Sequence, residues 1–179
     1  MIKISEYYEK KYIKGSSTQE WHDYWCNHKK DGCTENEVRK SAFRAVNTTN
    51  DQNVPADTRV KVRFPNEQFD LANEYNPGSS TFIPKKDGVY SIIASVQFDP
   101  NHFNNPYRVL LIIQVNGNDV ARDNDFFSTI QFDNDVAVST IIELNAGDIV
   151  EVFVVSSVAG EIVADSATTR FEAVRDVKL

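Results

Sequence analysis

Two pairs of alternating acids stand out as side chains that could do chemistry: Asp123 and Asp125 in ARDNDFF, and Asp133 and Asp135 in QFDNDVA. Alternate residues of a β-strand share a face, so each pair would aim its carboxylates into one oxygen-rich site. Such a site suits a hard cation, because calcium takes about six to eight oxygen ligands. Asp123, Asp125, Asp133 and Asp135 are therefore the candidate ligands of a calcium ion, and the plainer reading is a solvated loop. A second set is His22, Cys26, His28 and Cys33. Its spacing matches no standard zinc knuckle, which leaves zinc, a Cys26–Cys33 disulfide and free thiols all open. The third set is the loop that holds His102, Phe103, Asn104 and Asn105 and runs on to Tyr107. Aromatic rings there could stack on sugars while the amides bind hydroxyls.

Nucleophilic catalysis finds little material after residue 40. His102 is the sole histidine of residues 41–179, and that stretch has no cysteine. Neither a Ser-His-acid triad nor a Cys-His pair can be assembled within it. A metal centre built on several histidines fails for the same reason. The chain is read as a non-enzyme. The alternative is a carbohydrate-active or toxin-like effector whose activity resides in residues 1–40, with His22 and Asp23 as its candidates.

The elements that must position these groups divide at Lys40. Both Trp, both Cys, two of three His and four of seven Tyr precede that point, whereas all eleven Phe follow it. Residues 1–40 carry eight basic and seven acidic side chains, and residues 41–179 carry eleven and nineteen, a net charge of −8 for the larger part. In the first part Ile4, Tyr7, Tyr8 and Tyr12 recur at helical spacing up to Gly15. Ser17 and Glu20 could form a capping box for a second helix through Trp21 and Trp25. A short aromatic helical appendage is expected over 1–40 and a separate domain over 41–179.

From Ser41 onward short β-forming runs alternate with turn residues: VKVRF (60–64), YSIIASVQF (90–98), YRVLLIIQV (107–115), VAVSTIIEL (136–144) and IVEVFVV (149–155). NGND (116–119) marks a tight hairpin and NAGD (145–148) a second glycine turn. The connections are too short for helical crossovers, so the sheets should be antiparallel and the fold an all-β sandwich.

Particular residues carry a family resemblance. The run FDLANEYNPGSSTFIPKKDGVYSI (69–92) resembles the hallmark of complement C1q-like domains, with its spaced Phe, Tyr, Phe-x-Pro and Gly-x-Tyr. SAFRAV (41–46) resembles that family's opening strand, VNGNDVA (115–121) its central hairpin and STIIELNAGDIVEVFV (139–154) a later strand pair. The resemblance implies a ten-stranded antiparallel jelly roll of the C1q and tumour-necrosis-factor kind, usually a homotrimer. By position it makes Tyr90 and Phe153 trimer-interface candidates. It also favours calcium near a loop apex, as in several such heads. The Asn-rich style without disulfides in this domain looks like the bacterial branch found in spore-surface glycoproteins of bacilli and in related phage proteins. The close differs from the family pattern, with Glu172 and Ala173 after Phe171 in place of Phe-x-Gly, and no Gly-x-x stalk precedes the domain.

Together these readings predict a non-enzymatic trimeric recognition or surface-structural module that binds a glycan or protein ligand through its loops. The acidic balance, with a pI near 5.0, disfavours nucleic acid as a partner. No stretch reaches the roughly 18 apolar residues of a membrane span, and the N-terminus does not read as an ordinary secretory signal. The expected location is a bacterial spore or cell surface, or a phage particle.

Overall fold

The computed structural model describes residues 41–129 and 134–176. The expected helices, the aromatic appendage and the His22/Cys26/His28/Cys33 set all lie outside the described residues, as does Asp133. The described chain forms thirteen strand segments in two antiparallel sheets. The excess over ten comes from segments of two or three residues, such as β3 (Val60–Lys61), β5 (Tyr75–Asn76) and β6 (Thr81–Phe82).

The seven-stranded sheet is centred on β7 (Gly88–Pro100). On one side β7 pairs with β10 (Asn134–Leu144) along its whole length. On the other it pairs with β13 (Arg170–Arg175) and then, toward Pro100, with β12 (Gly160–Ile162). β13 continues to β1 (Ala42–Val46) and β4 (Asn66–Asp70), and β12 to β2 (Gln52–Val54). The six-stranded sheet runs β5, β6, β11 (Val150–Ser156), β8 (Tyr107–Val115), β9 (Asn118–Phe127), with β3 also on β11. This interleaving of sheets by successive strands is a jelly-roll sandwich. The closing sequence Phe171-Glu172-Ala173 occupies a central strand of the larger sheet, between β1 and β7.

Alternation fixes which side chains fill the space between the sheets. Ile92, Ala94, Val96 and Phe98 of β7 face Val109, Leu111 and Ile113 of β8 and Val150, Val152 and Val154 of β11, all fully buried. Phe43 sits among the aromatics, 4.7 Å from Tyr75 in a stacked pair, 4.8 Å from Phe82 and 5.0 Å from Phe171 edge-on. Burying each such ring contributes about 1.5–3 kcal/mol. Phe82, Phe98 and Phe171 fill the core. Phe69 does not: it lies opposite Arg44, on the outward side of β4, and is 44% exposed.

Two glycines act by different means. Gly117 and Asn116 both take left-handed backbone, at φ 79° and 51°, the geometry of the tight turn that joins β8 to β9. Gly160 serves a close approach instead. A Cβ there would stand 2.3 Å from the Asp99 carbonyl oxygen and 2.5 Å from the Phe98 ring.

Both ends of the described domain meet at one end of the sandwich. Arg175 donates its N–H to the Ser41 carbonyl at 2.9 Å, and Asp176 donates to that of Val89 at 2.8 Å. β7 starts at this end and delivers the chain to Asn101–Pro106 at the opposite one.

Candidate functional site

The end remote from Ser41 and Asp176 carries the loop predicted to bind ligand. His102, Asn104 and Asn105 are exposed and Phe103 is half-buried. The loop is anchored to its neighbour: the Asn101 N–H donates to the Ala159 carbonyl (3.0 Å), and Ser157 exchanges bonds with Arg108 through its N–H and its hydroxyl (both 2.9 Å). Tyr107 departs from the expectation. It is buried, packs between Phe98 (5.7 Å) and Phe127 (5.2 Å), and its hydroxyl takes a hydrogen bond from the Asn134 side chain. Pro106 ends the loop, and Tyr107 is the first inward position of β8, so alternation sends it into the core.

The two residues expected at a trimer interface are not brought together. Tyr90 belongs to the larger sheet and is fully enclosed within one copy, its hydroxyl donating to the Lys86 carbonyl at 2.8 Å. Its inward place on β7 makes it a core residue instead of a contact residue. Phe153 belongs to the other sheet, half-buried on the outward side, where the Arg59 guanidinium lies 5.9 Å from its ring centre.

Asp123 and Asp125 do share a face, and it is the core side of β9, opposite Leu111 and Val109. Burial, and next the Asp123 charge, push the Asp125 carboxyl above its ordinary pKa. Asp135 is exposed on the outward side of the other sheet, opposite Gln97, so it does not join them. Among the described residues no three His, Cys, Asp or Glu side chains lie close enough to hold a metal ion.

The outward face of the seven-stranded sheet is the feature that sequence reasoning missed. One row across it reads Ile141, Ser91, Val174, Ala42; the next reads Ser139, Ile93, Glu172, Arg44, Phe69. Ile141 is 75% exposed and Val174 51%, and Val89, Ile93 and Phe69 are exposed beside them. Several exposed apolar side chains are thus gathered on one sheet face, interrupted by Ser91, Glu172 and Arg44. A signal was present in the sequence. Ile92-Ile93, Ile141-Ile142 and Ala173-Val174 are apolar doublets, and a doublet on a strand places one apolar group on each face.

The charges on that face are arranged as well. Glu172 takes two arginines, Arg44 Nε at 3.3 Å and Arg170 Nε at 3.0 Å. Both guanidiniums also donate to the 166–167 turn, Arg44 to the Ser166 carbonyl at 3.1 Å and Arg170 to that of Ala167. This group therefore holds one more positive charge than negative.

No family profile matches the chain, and no curated protein matches it. Solved structures do. Murine APRIL at pH 5.0 superimposes with a TM-score of 0.58 at 14% identity, covering 76% of this chain and 99% of that one. Eiger TNF from S. frugiperda superimposes with a TM-score of 0.55 at 14% identity, covering 79% and 95%. At such identity the likeness is one of fold, and the described domain has the TNF-like jelly-roll fold.

Proposed function

We propose that this chain is a non-enzymatic recognition module that assembles as a homotrimer through the outward face of its seven-stranded sheet and binds a glycan or protein through the loops at the end remote from Ser41. The observation that carries this reading is the exposed stripe of Val89, Ile93, Ile141 and Val174. Four apolar side chains held in register by rigid central strands cost solubility unless something covers them. The TNF-like fold supports self-association as the means, since the resemblance to C1q-like heads implies a trimer. Trimer formation then sets three copies of the His102 loop side by side, and avidity multiplies weak single contacts. A bacterial spore or cell surface, or a phage particle, is the setting this reading suits.

The ligand arm is tested on a glycan array with the full chain and its His102→Ala/Asn104→Ala/Asn105→Ala variant. Binding to a common set of glycans, lost in the variant at unchanged solution mass, is the expected result. Equal binding by the variant would move the ligand site off this loop, and silence of the wild-type chain would remove glycans as the ligand class.

A further inference from the structure

Asn116-Gly117, the turn between β8 and β9, is the one Asn-Gly step in the chain. Such a step carries chemistry of its own. The backbone N–H of a glycine, shielded by no side chain, can attack the side-chain amide carbon of the asparagine before it. A bond forms between the Gly117 nitrogen and Asn116 Cγ, the Cγ–Nδ2 bond breaks, and ammonia leaves with the proton that the glycine nitrogen gives up. Water then opens the cyclic imide to aspartate or isoaspartate. Water is the only co-reactant, and nothing is oxidised or reduced. Both residues are exposed, and a Cβ added at Gly117 would meet nothing within 4 Å, so solvent reaches the step freely.

What opposes the reaction is the neighbouring turn between β10 and β11. Asn116 Nδ2 donates to Asp148 Oδ1 at 2.9 Å, and Asn116 Oδ1 accepts from the Ile149 N–H at 2.9 Å, so both ends of the amide are engaged. The Asn116 N–H donates to the Ile149 carbonyl at 2.9 Å and fixes the residue itself. Asp148 is held in its turn, because the Asn145 N–H donates to its second oxygen at 2.8 Å. On the far side the same turn is fastened by the Gly147 N–H on the Pro84 carbonyl (2.8 Å) and the Ala146 N–H on Asp87 Oδ1 (2.7 Å). The bonds from Asn116 and Asn145 also hold the Asp148 carboxyl below its ordinary pKa, so the acceptor stays ionised at neutral pH. Imide closure makes Cγ tetrahedral and expels Nδ2, and both amide bonds must be given up before it can occur.

We propose that Asn116 is a deamidation site held in reserve by Asp148 and Ile149, and that its conversion is a one-way release of the β8–β9 turn from the 145–148 turn. The product cannot refasten. A carboxylate at position 116 has no hydrogen to donate, and it would stand where the amide stood, 2.9 Å from the Asp148 oxygen, so that like charges meet. Isoaspartate would also add a backbone atom to a turn whose two residues both need left-handed geometry. A transient opening at this end of the sandwich is thereby recorded as a permanent change.

The test follows the peptide that contains Asn116 by mass spectrometry during incubation of the full-length chain in warm neutral buffer. Folded wild type is compared with Asp148→Ala, and with wild type in concentrated urea, which gives the rate of the unrestrained step. Circular dichroism confirms that the variant is folded. Folded wild type should convert at least about tenfold more slowly than in urea, because local opening must precede the chemistry. Asp148→Ala should recover most of that factor. The release is read separately: Asn116→Asp should lower the melting temperature by a few degrees, and Asn116→Asp/Asp148→Asn, which restores a donor between the two positions, should regain it. Folded wild type converting as fast as in urea, or Asp148→Ala converting no faster than folded wild type, would overturn the restraint. An Asn116→Asp chain that melts with the wild type would overturn the release.

Discussion

The outward faces of the two sheets are built from similar strands and treat their apolar residues in opposite ways. On the six-stranded sheet Ile112 points outward yet is completely buried, between its cross-strand neighbours Phe153 and Arg122. Phe153 in turn lies under Arg59, which is locked by two bonds to Asp119 at 2.9 and 3.1 Å. Gln114 adds a third bond to Asp119 at 2.7 Å, and Lys61 pairs with Glu151 at 2.6 Å. The long polar side chains of that face pair with one another, and the stems of such side chains cover apolar surface while their heads stay wet. The seven-stranded face places serines and alanines at the matching positions, Ser91, Ser139 and Ala42, and these are too short to cover Ile141 or Val174. An unsealed face beside a sealed one shows that exposure there is a property of the chosen residues and not of the fold.

The largest expected effect breaks the sealed face. Ile112→Ala removes a fully buried side chain and should cost about 2–5 kcal/mol of stability, read by urea denaturation. A cost below about 1 kcal/mol would mean that Phe153 and Arg59 do not form a seal.

The open face should respond in the other currency. Ile93→Glu/Ile141→Glu places charges on exposed positions, so the fold should keep its melting temperature to within a few degrees. Assembly should weaken by about 100-fold or more, because two carboxylates would be buried without partners in the interface. Sedimentation velocity over a concentration series decides it: an unchanged association constant would place the interface elsewhere.

The smallest effect concerns pH and is best measured in that dissociated background. Bonds from Arg59 and Gln114 hold the Asp119 carboxyl below its ordinary pKa, so its contribution is present above the unfolded pKa and fades as pH falls through the lowered one. Asp125 has the reverse sign. Burial raises its pKa, so the folded domain takes up a proton more readily than the unfolded chain, and the ionised group is a liability at neutral pH. Asp125→Asn should raise the melting temperature by about 1 °C at neutral pH. The gain should shrink as pH falls through the raised pKa of Asp125, where the wild type protonates itself. A gain that is the same at every pH would trace to something other than ionisation.

Much of this architecture was legible because strand periodicity and turn chemistry are local. YRVLLIIQV becomes β8 with its bounds unchanged, and Asn116-Gly117 makes the tight turn its residues require. VKVRF is less regular than its pattern: only Val60 and Lys61 form a strand, although Val62 and Phe64 are still buried. The site was harder to read, since alternation states that two residues share a face and leaves open which face is outward. Tyr90 and Tyr107, expected at surfaces, fill the core, and Phe69 lies outside. Each depends on a cross-strand partner, Ile142 for Tyr90, Phe127 for Tyr107 and Arg44 for Phe69, that only the sheet register supplies. Asp123 and Asp125 lie on one face of β9. That this face looks inward follows from Val109 and Leu111 across β8.

The central claim, that the unsealed face of the seven-stranded sheet is covered by copies of the same chain, is tested most directly by the solution mass of the full-length protein by light scattering at micromolar concentration. A mass three times that of the 20.3 kDa chain is the result expected. A monomer at that concentration would contradict it.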